Sequence, residues 1–291
     1  MSQHLTVNKK VFVLRDMGAG DMICTFGMLE YLSTLYEEVL TNCIEHSVNL
    51  FVALHKDNSK IKYLVYKKEY MANGWNFPAQ ILQELSLTHD IIKIGHYYGT
   101  YLDNPIKIYD YPDSYYDDCG IPRSYSKSYL KFSIPNDLQK IYNNLFASKS
   151  PYIVVHQESS SCHPDIVRKQ HINVDKQLVI DVNKNLYHKD HCFYEIANKF
   201  VNLVNPLWYA PLIMNANELY VTDSMLYSLS ICLDITNVKR KICYNRSDNN
   251  FLGFKSGYEY IKLVYKRDME GHFRFSYPDE QFYLLNDPHI Q

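Results

Sequence analysis

Asp21 stands in the stretch VFVLRDMGAGDMICTFGMLEYL, residues 11–32, directly after Gly18-Ala19-Gly20. Two chemistries suit that arrangement. Paired glycines let a backbone turn tightly and approach a ligand, as in loops that cradle phosphate. A carboxylate mounted beyond such a turn can instead take a proton from a hydroxyl as a general base. The dinucleotide fingerprint would need a third glycine where Ile23 stands, and no GK[ST] follows, so neither phosphate motif is complete. A carboxylate at that helix start also repels phosphate, which favours the base. A helix-capping role for Asp21 remains the alternative.

A second constellation lies in the later half. YIVVHQESSS, 152–161, ends an apolar run in His156, Gln157, Ser159 and Ser160. ELYVTDSMLYSLS, 218–230, ends another in Asp223, Ser224 and Met225. Amides at a helix start and the Ser224 hydroxyl can hold a diphosphate. Asp223 can orient a ribose or sugar hydroxyl, or serve as the N-cap. Two polar strand-end loops on one sheet edge suit a nucleotide-sugar; plain loops are the alternative. HKDHC, 188–192, lacks a matching second pair of ligands for a structural zinc, which needs four. No D-x-D is present to grip a diphosphate through a metal, and Asp117-Asp118 reads as part of a solvated loop. No G-x-S-x-G supports a serine hydrolase.

The elements that must position these residues alternate. Residues 10–15 read as a buried strand, and Met22, Ile23, Phe26, Leu29, Leu32 and Leu35 recur at helical spacing after Asp21. Residues 48–54 read as a strand, 58–65 as a helix and 89–95 as a strand. The Tyr-rich segment 96–132 reads as loop and short helix, 138–146 as a helix and 147–151 as a linker. The alternation then restarts, with strands at 152–156, 178–182, 218–222 and 239–244. Helices are expected at 191–204 and 225–233, and another at 258–265; 211–217 leads into the strand at 218. Strands alternating with helices predict parallel sheets with crossover helices.

The bulk composition narrows the function. A chain of 291 residues suits one large domain or two ordinary ones, and a formal charge of −2 asks for no nucleic acid. Seven scattered cysteines with no CxxC read as free thiols in a reducing compartment. The start MSQHLTVNKK has no apolar signal core, and no apolar run is long enough to span a membrane, so a cytoplasmic location is expected. The 27 tyrosines fit either an AT-rich coding sequence or rings lining a carbohydrate site.

GAGDMICTFGMLEYL resembles the opening motif of the heptosyltransferase-like GT-B glycosyltransferases, and ANELYVTDSMLYSLSICLDI resembles their donor-side Asp-Ser turn and helix. Small viral and bacterial glycosyltransferase-like proteins with a GD start and a VxDS…L finish are similar too. YIVVHQESSS sits where that group opens its donor domain. The resemblance implies a GT-B architecture: two Rossmann-like domains with parallel sheets facing a central cleft. Residues 1–148 would be the acceptor side, 149–255 the nucleotide-sugar donor side, and 256–291 a tail packing across both.

It further implies transfer of a sugar from a nucleotide-diphosphate sugar to a glycan or glycoconjugate hydroxyl, inverting if attack is direct, with Asp21 as base. His156, Gln157, Ser159, Ser160, Asp223, Ser224 and Met225 would hold the donor. Many relatives carry a basic residue soon after the serine loop; here Arg168 or Lys169 would substitute. Gly18, Gly20, Tyr97 and Tyr98 would form the acceptor-side loop. A helix dipole and basic residues would stabilise the leaving diphosphate, so no metal or other cofactor is required. The rival from another class is a non-catalytic nucleotide- or carbohydrate-binding protein on the same fold.

Overall fold

The computed structural model describes residues 9–15, 19–45, 48–66, 79–94, 113–158, 163–245, 257–262, 265–267 and 273–275. The chain divides into two compact units, Met1–Lys131 with Phe251–Phe254, and Phe132–Asn250 with Lys255–Gln291. The division falls ahead of the linker-like stretch 147–151. The helix Asn136–Ala147 therefore counts with the second unit, where its Tyr142 hydroxyl donates to the carbonyl of Trp208 and its ring packs on Phe200.

The first sheet contains β1 (Lys10–Leu14), β2 (Glu38–Ile44), β3 (Ile61–Tyr66) and β4 (Asp90–Lys93) in the order β3-β2-β1-β4. All its pairs are parallel, with Val13 opposite both Thr41 and Ile92. Val11 to Leu14 are fully buried, as a central strand covered on both faces requires. The stretch at 48–54 is a helix, Val48–Leu54, and 58–65 gives β3, the reverse of the sequence reading. Short apolar runs carry no period that separates helix from strand. The helix around Asp21 comes in two pieces, Ala19–Cys24 and Phe26–Leu35, with Thr25 between them.

The second sheet contains β5 (Tyr152–His156), β6 (Leu178–Asp181), β7 (Glu218–Thr222), β8 (Arg240–Asn245) and β9 (Glu259–Lys262), in the order β6-β5-β7-β8-β9 and again all parallel. The strand β9 replaces the helix expected at 258–265. The helix expected at 191–204 shrinks to Tyr194–Asn198, and Ala210–Met214 is a short helix leading to β7. Ile153, Val155, Val179, Tyr220, Ile242 and Tyr244 form a buried cluster with Ile166. Two short strands, Tyr265–Arg267 and Phe273–Phe275, pair antiparallel.

Among the described residues, most tyrosines are buried. Tyr116 donates its hydroxyl to the carbonyl of Cys24, Tyr152 to that of Leu212 and Tyr209 to that of Phe200. Each buries a large apolar ring while its polar tip satisfies a backbone acceptor. No helix among the described residues is long and apolar enough to cross a membrane.

Candidate functional site

Open parallel sheets bind ligands outside the carboxyl ends of their strands, where the strand order reverses. In the first sheet that point lies between β1 and β4. The chain leaving β1 there is the stretch that opens with Arg15 and reaches Asp21. Asp21 is the third residue of Ala19–Cys24 and half-buried, so it lies in the first turn and past the cap position. Its Oδ1 accepts a hydrogen bond from the Tyr115 hydroxyl at 3.1 Å. Tyr115 belongs to the helix Asp113–Asp118, inside the segment read from sequence as loop and short helix. Gly20 is half-buried beside Asp21. Gly18, Tyr97 and Tyr98 lie outside the described residues.

Arg15 is a buried cation the sequence reading passed over. It is 1% exposed and directly follows the buried residues Val11–Leu14 of β1. Its Nε donates to Thr41 Oγ1 at 2.9 Å and its Nη1 to Thr25 Oγ1 at 2.7 Å. Its peptide exchanges two bonds with the Asn42 side chain, at 2.9 and 2.8 Å. Burial lowers its pKa to about 10, while Tyr63, Cys43, Asp21 and Tyr115 pull it back up, so it stays cationic at neutral pH. The one legible signal was the charge itself, directly after the apolar run Val11–Leu14.

In the second sheet the order reverses between β5 and β7. His156, the last residue of β5, is in register with Val221 of β7. That register brings the His156 Nδ1 within 2.8 Å of Ser224 Oγ. Ser224 occupies the cap position of the helix Met225–Ile231 in an extended conformation, but its side chain makes no capping bond. Only its carbonyl joins the helix, accepting from the Ser228 N–H. Burial lowers the His156 pKa to about 4, against a backbone hydrogen bond and a charge at Glu158. The imidazole is therefore neutral at pH 7. Asp223 is half-buried and its N–H donates to the Tyr244 carbonyl. Met225 is half-buried as the first helical residue.

Gln157 turns away from this pair. Its Nε2 donates to Asp181 Oδ2 at 2.6 Å and its Oε1 accepts from the Ile166 N–H at 3.1 Å. Asp181, buried at the end of β6, also accepts from the Asn183 N–H at 3.0 Å. Burial nevertheless pushes its carboxyl up to about 6. Gln157 thus ties β6 to the helix Ile166–Lys169, on which Arg168 is exposed. Ser159 and Ser160 lie outside the described residues.

The remaining motif residues have local roles. His188 is exposed beside Asp190, His191 stacks on Tyr187 with ring centroids 4.7 Å apart, and Asp117 pairs with Arg123. Among the described residues no three potential metal ligands gather.

No family model matches the sequence, and no curated protein matches it. Solved structures do resemble the fold. A glycosyl transferase family 9 protein from Veillonella parvula aligns at 13% identity with a TM-score of 0.51, over 90% of this chain and 89% of that one. The E. coli heptosyltransferase WaaC, solved with ADP, aligns at 13% identity and a TM-score of 0.46 over 88% and 93%. The E. coli ADP-heptose lps heptosyltransferase II aligns at 10% identity and 0.39 over 91% and 92%. The first of these likenesses, with the two parallel sheets, establishes a GT-B-like two-domain α/β fold.

Proposed function

We propose that this protein is a glycosyltransferase that moves a sugar from a nucleotide-diphosphate sugar to a hydroxyl of a glycan or glycoconjugate, with Asp21 as general base. The observation that carries the reading is the place of Asp21: a carboxylate in the first helical turn after β1, at the reversal point of a parallel sheet. The acceptor oxygen attacks the anomeric carbon while its proton passes to Asp21. The bond from that carbon to the diphosphate breaks, and its electron pair leaves on the phosphate oxygen. Direct displacement of this kind inverts the anomeric centre.

His156, Asp223, Ser224 and Met225, with Ser159 and Ser160, make the donor site in this reading, Gln157 bracing it from behind through Asp181 and Ile166, and Gly18, Gly20, Tyr97 and Tyr98 make the acceptor-side loop. Because the His156 imidazole is neutral at pH 7, it offers a hydrogen bond and no charge. The cationic partner for the diphosphate is then Arg168, exposed on its short helix. Backbone amides and such a cation stabilise the leaving group without a metal.

The test is a panel of UDP-, GDP- and ADP-sugars offered with glycan acceptors, read by mass spectrometry for glycosylated product and released nucleoside diphosphate. One donor yielding both products supports transfer. Saturable binding of a donor with neither product would favour the non-catalytic binder on the same fold.

A further inference from the structure

Arg15 and Tyr115 are each 1% exposed, so neither can meet a ligand directly. Both nevertheless converge on Asp21. The neighbouring Tyr116 spends its hydroxyl on a backbone carbonyl, as other core tyrosines of this protein do. Tyr115 instead gives its hydroxyl to the Asp21 carboxylate. Arg15 reaches the same turn through Thr25, whose hydroxyl accepts from the guanidinium and also lies 3.0 Å from the Asp21 carbonyl oxygen. The groups that act on Arg15 are Tyr63 on β3, Cys43 on β2, Asp21 and Tyr115. Of these, Asp21 is the carboxylate, and burial holds the Cys43 thiol and the Tyr63 phenol in their neutral forms. A buried guanidinium carries a desolvation penalty that an apolar residue would not.

We infer that Tyr115 and Arg15 are positioning residues for Asp21: Tyr115 aims the carboxylate, and Arg15 holds the turn that carries it through Thr25. This rests on the reading of Asp21 as the base. A hydrogen bond to the charged form and a nearby cation both favour the carboxylate over the acid. The lone pair of the base is thereby held in one direction.

The experiment compares wild type, Tyr115→Phe, Arg15→Lys, Arg15→Gln and Asp21→Asn. Two readouts are used: the pH profile of kcat/KM for transfer, and the titration of the Asp21 carboxyl by carbon-13 NMR, assigned through its loss in Asp21→Asn. In Tyr115→Phe the acid limb and the carboxyl titration should both move up by about one pH unit. Transfer should fall roughly tenfold as well, with donor affinity unchanged. Arg15→Lys keeps the charge and should shift the limb less than Arg15→Gln. Should Arg15→Gln not fold, Tyr115→Phe decides alone. A wild-type acid limb and a wild-type carboxyl titration in Tyr115→Phe, with Asp21→Asn inactive, would overturn the positioning roles and leave the base reading standing. Normal transfer by Asp21→Asn would instead remove the base reading, and the carboxyl titration would then decide whether Tyr115 governs Asp21.

Discussion

Ser224 sits where a helix usually takes a capping bond from a serine, yet its hydroxyl faces His156. A polar pair at the reversal point of a parallel sheet is available to a donor phosphate. Ser224→Ala should weaken nucleotide-sugar binding about tenfold or more, since a hydrogen bond to a charged group contributes ~1.5–3 kcal/mol. Its melting temperature should fall modestly, because the bond to the buried His156 and those to Thr222 are lost. Calorimetric titration of donor into the variant checks this, and unchanged affinity would leave the pair a structural role only. Asp181 gives a pH prediction at the same scale. Its folded pKa of about 6 lies above the ordinary 3.8, so its stabilising contribution is full below the unfolded value and is lost as pH rises through 6. Asp181→Asn does not titrate. The melting temperature of wild type relative to that variant should therefore drop between pH 4 and pH 7, by an amount on the order of 2–3 kcal/mol in stability. A flat difference across that range would refute the buried, raised carboxyl. The placement of His156 and Ser224 at a sheet edge was legible because polar residues closing apolar runs mark strand ends, and that of Asp21 at a helix start because a glycine pair precedes it. Tyr115 was not, because one tyrosine among 27 gives no sign of which hydroxyl meets a carboxylate 94 positions away.

The elements that hold these residues depend on a close approach at Gly27. A Cβ built there would lie 2.2 Å from the backbone oxygen of Tyr125 and 3.1 Å from the Cα of Ser126. The helices Phe26–Leu35 and Tyr125–Ser128 can pack only because that side chain is absent. Gly27→Ala gains up to ~1 kcal/mol of helix propensity. It forces two backbones apart, and overpacking of this kind costs about 1–3 kcal/mol. The clash should win, and the urea midpoint should fall with an unchanged slope. An unchanged or raised midpoint would mean that the two helices are not locked together. Pattern reading worked for β1, β5, β7 and β8, whose runs end in turn-forming or polar residues. It failed at VNLFVAL and IKYLVY, where helix and strand were exchanged. VNLFVAL contains branched residues that favour strands, but it folds as a helix with Leu54 buried and Val52 exposed. The tail gives the same lesson. A run with helical spacing becomes β9 because the open edge of β8 offers a full ladder of backbone partners. Tyr258 anchors its start, with its hydroxyl 2.7 Å from Ser230 Oγ.

At the scale of the whole molecule, two parallel sheets divide the proposed work. The reversal point of the first carries Asp21, and that of the second carries His156 and Ser224. The alternation of strands and helices made this two-sheet plan legible from sequence. The unit boundary was not, because the helix Asn136–Ala147 looks the same in sequence whichever core its Leu138, Tyr142 and Leu145 enter. The mechanism proposed here grips the diphosphate with hydrogen bonds and a cation, and the sequence holds no D-x-D. Transfer should therefore survive EDTA. Loss of activity restored by manganese or magnesium would overturn the metal-free donor grip. The central claim, that Asp21 is the base, is tested most directly by Asp21→Asn, which keeps the size of the side chain. Donor affinity and turnover should be measured on the same preparation. The variant should bind donor as wild type does while transferring sugar ~10²–10⁴-fold more slowly. Turnover close to wild type per bound donor, or a loss confined to donor affinity, would contradict the account.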